Sequence, residues 1–295
     1  MKNSFLINIL QKISFFCYKT LGPKKAFVIA ISPVGKLIFK IFAKQQKNLV
    51  IKTKYGFLIN INEYEYFWSG FFFLGETNPL ETMLVRSILK KGDAFVDVGA
   101  HMGWYALNAA SIVGNNGKVI AFEPNPSCVA GFKKNIDLNK YKNVILEKIA
   151  LSDKEEIAEF WIGDDMGSSL VKENTKRLTV DGSTVESIKV KTRTFDSYIK
   201  KYNNLKIEVI KIDVEGAEVQ VLKGAERYLK KYKPDILIEV IDECLRANGS
   251  SKKELFDYLK KLDYTAFEIT TEGLKKVTDI NFIQQTGNIF FKTKR

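Results

Sequence analysis

The chain predicts a doubly wound α/β fold, with helices covering both faces of a mostly parallel sheet. Two observations carry this. From residue 55 onward short β-branched runs alternate with longer amphipathic stretches, and the runs are apolar on both faces, as strands buried beneath helices on each side must be. The strands expected are AFVDV (94–98), KVIAF (118–122), NVILEKIA (143–150), IEVIKID (207–213) and DILIEV (235–240). Helical periodicity falls near 103–113, 126–139, 216–231 and 251–261. YTAFEIT (264–270) and GNIFFKTK (287–294) follow with no helix between them, which predicts a hairpin and an antiparallel strand at one edge. AEFWI (158–162) and SIKVKTRTF (187–195) form a β insertion near 155–195, and 55–92 is a lead-in segment.

Composition sets bounds on this reading. With 295 residues, 45% hydrophobic, 12% aromatic and 27% charged, the chain can bury a sizeable core, which excludes disorder throughout and collagen-like classes. Cys17, Cys128 and Cys244 stand far apart, so neither a disulfide framework nor a cysteine zinc site is indicated and a cytoplasmic location is the default.

The net charge of +12 is unevenly placed. Residues 1–54 hold eleven Lys and no acidic side chain, while the remainder carries 35 basic against 34 acidic groups. A confined cationic segment is a docking patch for an anionic surface rather than a nucleic-acid cleft, so no nucleic-acid partner is expected. Within it, Phe5, Leu6, Ile9, Leu10, Ile13, Phe16 and Cys17 share one side of a helix, with Ile7 and Phe15 off the pattern. Neither this stretch nor Ala26–Ala43, interrupted by Pro33, Lys36 and Lys40, has the roughly 20 uninterrupted apolar residues of a spanning helix. No cleavable signal is expected either, because no A-x-A site follows. Two readings stand for this basic helical extension: a helix at the membrane surface, peripheral on the inner face, or one packed on the protein's own core.

The most informative segment is FVDVGAHMGWYALNAA (95–110), in which a strand runs straight into Gly99, Ala100, His101, Met102 and Gly103 before a helix begins. Small residues stand where the backbone turns and a ligand approaches closely. The spacing is G-x-x-x-G rather than the pyrophosphate fingerprint G-x-G-x-x-G, and no P-loop occurs. Twenty residues past Gly103, Glu123 closes the second strand in VIAFEPNP, where a carboxylate can accept both ribose hydroxyls of a nucleoside. An NAD-type oxidoreductase shares this fold and acid but wants the missing fingerprint.

With FVDVGAHMGWYA and VIAFEPNP, the segments IALSDKE (149–155), GSSL (167–170) and KIDVEGAEVQVLKGAE (211–226) make the chain resemble the FkbM-type family of class I S-adenosylmethionine (SAM) dependent methyltransferases. The resemblance spans roughly residues 70–293, and IDVEGAE is its most specific part. His101 departs from it, standing where the family commonly has Asn. It implies a Rossmann-like sheet of seven strands and SAM as cofactor. Asp97 would orient the glycine loop or the ligand's ammonium group, Gly99, Ala100, His101 and Gly103 would pass beneath its methionine part, and Glu123 with Pro124 would hold the ribose. Ala150, Leu151 and Ser152 would flank the adenine.

Methyl transfer needs the acceptor behind the methyl carbon, and a hydroxyl acceptor must lose its proton. Asp213, at the end of the fourth strand, is the first choice of base, and it also lies beside the cofactor. Its alternative role, shared with Glu215, is to cap the helix begun by Gly216. Glu239, ending the fifth strand, is a second candidate, and His101 a proton shuttle. DVEG after strand four lacks the aromatic stacking motif of base methylation, so a hydroxyl acceptor is favoured. In this family that points to a sugar, glycan, glycolipid or secondary metabolite, a non-catalytic membrane- or glycan-binding module being the other class. Asp213 and Glu239 without a third clear ligand assign no metal.

Overall fold

The computed structural model describes residues 50–60, 75–163, 168–178, 185–280 and 286–293. The amphipathic helix expected over 5–17, with the rest of residues 1–49, lies outside them. Residues 50–52, grouped with that helical extension on charge, are extended instead: Val50–Lys52 (β1) pairs antiparallel with Leu58–Asn60 (β2). Alternation explains it, since Ile51 and Ile59 both enter the core while their neighbours do not. The lead-in segment then forms Pro79–Ile88 (α1).

The main sheet follows the expected alternation. Ala94–Val98 (β3), Trp104–Val113 (α2), Lys118–Phe122 (β4), Pro126–Asn139 (α3) and Val144–Glu147 (β5) make its first half. Asn125 starts α3, its side chain accepting the Ser127 N–H at 2.9 Å with Pro126 in the first turn. The third expected strand is split: β5 stops at Glu147, and Ala150–Leu151 (β6) joins a second sheet. That sheet holds Ile157–Ile162 (β7), Ser168–Ser169 (β8) and Glu186–Arg193 (β9) in the order β6-β9-β7-β8, with Lys172–Leu178 (α4) between β8 and β9.

Phe195–Ile199 (α5) leads to the second half: Val209–Ile212 (β10), Glu218–Gly224 (α6), Glu226–Tyr232 (α7), Asp235–Ile241 (β11), Asp242–Ala247 (α8) and Lys252–Lys261 (α9). The single helix expected over 216–231 is thus two. The carboxylate of Asp196, on α5, accepts the Arg227 and Tyr228 N–H groups at 2.9 and 2.8 Å and gives α7 an N-terminus of its own.

The chain ends in Tyr264–Thr270 (β12), Gly273–Lys276 (β13) and Thr286–Thr293 (β14), and the sheet runs β13-β12-β14-β11-β10-β3-β4-β5. Eight strands are present where seven were expected, the extra one being β13. The antiparallel strand expected at the edge, β14, is slotted between β11 and β12. Burial explains the exchange. Ile289, Phe290 and Phe291 are apolar on both faces and at most 2% exposed, whereas β13 is exposed throughout and its lysines suit an edge. One sheet face packs Phe95, Val209 and Leu237 against α1 and α2; the other packs Val96, Ile210 and Ile236 against α6, α7 and α9. No helix of the described residues is long and apolar enough to cross a membrane.

Strand order sets the site. From β3 the chain winds outward through β4 and β5, then returns to lay β10 on the opposite side of β3. The border of β3 and β10 is therefore the switch point, outside whose carboxyl ends a crevice opens. Replacing Asp196 by Ala should unfasten α7 and cost about 1–2 kcal/mol in urea unfolding, with the slope of the transition unchanged.

Candidate active site

A cavity of about 230 Å³ lies at the switch point, lined by residues from both halves of the sheet. Its floor is the glycine loop. The Gly99 and Ala100 N–H groups both donate to the Phe122 carbonyl at 3.0 Å, turning the chain off β3. Gly99 has φ 78°, and a Cβ there would lie 1.8 Å from the Asp213 carbonyl oxygen, so only glycine lets the loop lie against the end of β10. Gly103, φ 88°, packs a bare Cα on the Phe132 ring and supports the loop from behind without lining the cavity.

Glu123 crosses beneath this loop. Its Oε2 accepts the His101 N–H at 2.7 Å and its Oε1 the Asn125 N–H at 2.9 Å, while the side chain is 5% exposed and faces the cavity. Each oxygen keeps a lone pair for a ligand hydroxyl. Burial pushes its carboxyl up to about 7, against the two N–H groups that favour the ionised form. Beside it an apolar slot of about 40 Å³ is walled by Pro124, Ala150, Leu151, Phe160 and Leu170. Ser152, expected with Ala150 and Leu151, lines neither space. Its N–H donates to the Arg193 carbonyl at 2.9 Å and its hydroxyl to Asp153.

The opposite wall is a column of charge on the α1/α2 face of the sheet. Strand alternation that buries Phe95, Val209 and Leu237 places Asp97, Lys211 and Glu239 two residues further on, facing the same way. Asp97, 2% exposed, accepts the Ala106 N–H at 3.0 Å and so anchors the first turn of α2; burial, opposed by Lys211, lifts its carboxyl to about 7. Lys211 is 1% exposed, 2.9 Å from Asp213 Oδ2 and 5.3 Å from the centre of the Tyr105 ring. Burial disfavours its charge, yet Asp213 and Glu239 outweigh that and hold its pKa above the ordinary lysine value.

Four acids then divide the work. Asp213, one-third exposed at 32%, feels burial pushing it up, but Lys211, a hydrogen bond from Glu239 and His101 hold it below the usual carboxylate range. Glu239 is pushed well above that range by the charge of Asp213 and by burial, which favours a proton on Glu239 donated toward Asp213 and makes Asp213 the stronger candidate base of the two. Glu215, at φ 53°, is lifted to about 8 by burial, then by Asp213 and Glu218. Its carbonyl accepts the Ser169 hydroxyl and the Asn174 amide, each at 2.8 Å, and its Oε2 is sealed from solvent without a hydrogen-bond partner. The capping role weighed for Asp213 and Glu215 belongs to Glu218, whose Oε1 accepts the Val214 and Gly216 N–H groups at 3.2 and 3.1 Å. His101 lines the cavity, but burial drops its imidazole to about 4, which leaves it neutral and a weak proton acceptor.

Sequence reasoning did not single out Lys211, Tyr105 or Ser168. Lys211 had a signal: a cation in the middle of the apolar run IEVIKID has no place in a doubly covered strand unless an acid meets it. Ser168 was marked only as part of GSSL, the segment quoted for the resemblance; its place at the cavity depends on Asn125, whose amide reaches its hydroxyl at 3.0 Å from 43 residues away.

A parallel sheet carrying β14 antiparallel beside β11, with its crevice between glycine loop and acidic strand ends, has the class I methyltransferase fold. Residues 97–266, more than half of the chain, match the Methyltransferase FkbM domain, and the chain belongs to the FkbM methyltransferase family. The dinucleotide oxidoreductase alternative falls with that match. Among curated proteins it is similar to the AMB antimetabolite synthetase AmbE of Pseudomonas aeruginosa, 26% identical over 75% of this chain and 11% of that protein. It is also similar to the hexuronic acid methyltransferase AglP of Haloferax volcanii, 28% identical over 53% of this chain and 59% of that one. The chain thus spans less than two thirds of the length of either. Among solved structures, an FkbM methyltransferase from Methylobacillus flagellatus is 15% identical over 77% of this chain and 53% of that one, with a TM-score of 0.43.

The raised carboxyls imply a pH dependence of the ligand-free protein. Asp97, Glu123 and Glu218 at about 7 and Glu215 at about 8 bind protons more tightly folded than unfolded. Their contribution is fully present below about pH 4 and is lost as pH rises through 7 to 8. Melting temperature should therefore fall between pH 5 and 8, and the Glu215→Gln, Glu218→Gln double variant should flatten that slope in calorimetric scans.

Proposed function

We propose that the chain is a SAM-dependent O-methyltransferase acting on a hydroxyl of a sugar or glycan. The carrying observation is Asp213: the one carboxylate of the cavity held below its usual range stands at the end of β10, across the same space from the glycine loop and Glu123.

The site fits the cofactor. A cradle closed to any Cβ at Gly99, a buried acid with hydrogen-bonding capacity left at Glu123, and an apolar slot beside it match a thioether chain, a ribose and an adenine. The excess of carboxylates over Lys211 suits a cationic ligand. Bound there, SAM supplies an electrophilic methyl on a sulfonium sulfur. Asp213 would take the acceptor's proton as the oxygen–carbon bond forms and the carbon–sulfur bond breaks, its pair staying on sulfur. Glu239, neutral, would keep that charge on Asp213 through its hydrogen bond, and Lys211 would fix which oxygen faces the acceptor.

One observation supports a hydroxyl as the reacting group: a carboxylate brought up to Asp213 would meet an ionised acid and be repelled, whereas a neutral hydroxyl meets an acceptor for its proton. The relative named as a hexuronic acid methyltransferase supports the carbohydrate class. The acid-free segment 1–54 with eleven lysines would bring the enzyme to an anionic surface, a reading checked by deleting residues 1–49, which hold nine of them and leave β1 in place, and sedimenting with anionic vesicles. Deletion should abolish sedimentation and leave cofactor binding intact.

Two variants test the assignment. Glu123→Ala should weaken S-adenosylhomocysteine binding in calorimetry by roughly 100-fold, the equivalent of two charge-assisted hydrogen bonds. Asp213→Asn should lower turnover by about 100-fold or more in tritiated methyl transfer to a glycan extract, with that affinity nearly unchanged. Equal affinity in the first variant removes the ribose role of Glu123; equal turnover in the second removes the base.

A further inference from the structure

We propose that Asp213, Glu215 and Glu239 bind one divalent cation of the magnesium or manganese kind, on the acceptor side of the cavity. The proposal rests on the methyltransferase reading above only for the use of the ion, not for its binding. Carboxylate oxygens from the three residues all lie within 4.8 Å of one another. Oxygen ligands of one divalent ion, at metal distances of about 2.1–2.5 Å, are themselves about 3–5 Å apart.

Three elements converge to make this group. Asp213 ends β10, Glu239 faces the same way from β11, and Glu215 is swung between them by the left-handed turn that Ser169 and Asn174 hold from the insertion. Position along the sequence offered only the two strand-end acids; the turn adds the third. An independent sign of a missing ligand is Glu215 Oε2. This oxygen is sealed from solvent and accepts no hydrogen bond, so no donor in the protein meets it. A cation seated among the three carboxylates would.

Charge and ligand type select the ion. A cation entering the group would displace the protons that the raised Glu215 and Glu239 favour in the ligand-free protein, giving the three acids a formal charge of −3, and Lys211, which engages Asp213 through Oδ2, returns one positive charge. The residual −2 is that of a divalent partner. All three donors are hard carboxylate oxygens, with no thiolate or imidazole in the group, which favours magnesium or manganese over zinc or copper. Bound to the acceptor's oxygen, the ion would make its hydroxyl more acidic. A polyol with adjacent oxygens could chelate it, which narrows the acceptor class toward vicinal diols. The carbon–oxygen bond formed and the carbon–sulfur bond broken remain those given above; with one Asp213 oxygen on the ion in place of the Glu239 proton, the acceptor's proton would go to the Asp213 oxygen that does not ligate it.

The full chain titrated with manganese chloride, free manganese being read by electron paramagnetic resonance, tests this. One ion should bind per chain, and Glu215→Gln, which keeps shape and removes charge, should weaken binding by about tenfold or more. Glu159→Gln, an exposed acid on β7, should leave it unchanged. S-adenosylhomocysteine affinity, read in parallel, reports whether the variant is folded; Glu239→Gln replaces it if it is not. No manganese uptake by the wild type, or equal uptake by wild type and charge-removed variants, overturns the site. Manganese bound by a wild type that ignores S-adenosylhomocysteine keeps the cation site and sinks the methyltransferase reading instead.

Discussion

One ion pair organises the cavity. Lys211 sits inside a sheet, where an unpaired ammonium would cost several kcal/mol, and is tolerable only because Asp213 meets it at 2.9 Å two residues along the same strand. Strand geometry makes the meeting unavoidable. Residues 211 and 213 face the same side of β10, and Asp97, the register partner of Lys211 on β3, faces that side too. A single cation is thereby shared between the two strands that flank the switch point.

The inequality of the acids follows from that sharing. Lys211 reaches Asp213 directly and Glu239 only at longer range, so the proton the pair must retain settles on Glu239. Two carboxyls within a few ångströms of each other cannot both ionise at neutral pH without compensation, and an asymmetric cation decides which does. The chemistry assigned to Asp213 is thus a consequence of where the lysine stands. His101 stays neutral for a different reason: burial disfavours its charged imidazole by more than the nearby Asp213 carboxylate favours it.

Periodicity revealed the parallel strands because both-face apolar runs are a property of each run alone: AFVDV and KVIAF form strands at the residues that the pattern marks. What stayed hidden depends on partners distant in the chain. The helix break at Ala225 requires Asp196, the position of β14 depends on β13 being too charged to bury, and the turn at Glu215 requires Ser169 and Asn174. Asp97, Gly99, Glu123, Asp213, Glu215 and Glu239 were legible because acids and glycines at strand ends break an apolar pattern. Ser152 was misplaced because it falls just past the end of β6, where its N–H is tied to the Arg193 carbonyl, a partner that spacing does not show.

The insertion does more than fill a face. At one end Ser168 accepts the Asn125 amide, next to the loop that positions Glu123; at the other, Ser169 and Asn174 grip the Glu215 carbonyl. Ser168 and Ser169 are consecutive residues of β8, so the two walls of the cavity are joined through a single short strand. Asn174 tightens the joint, since its amide also donates to the Cys244 carbonyl at 3.0 Å and lies where any side chain at Gly216 would go. A shift of β8 would therefore move the acid beneath the glycine loop and the acids at the ends of β10 and β11 together. Changes in this segment cannot leave the geometry of the opposite wall untouched, which accounts for small polar residues at the joint.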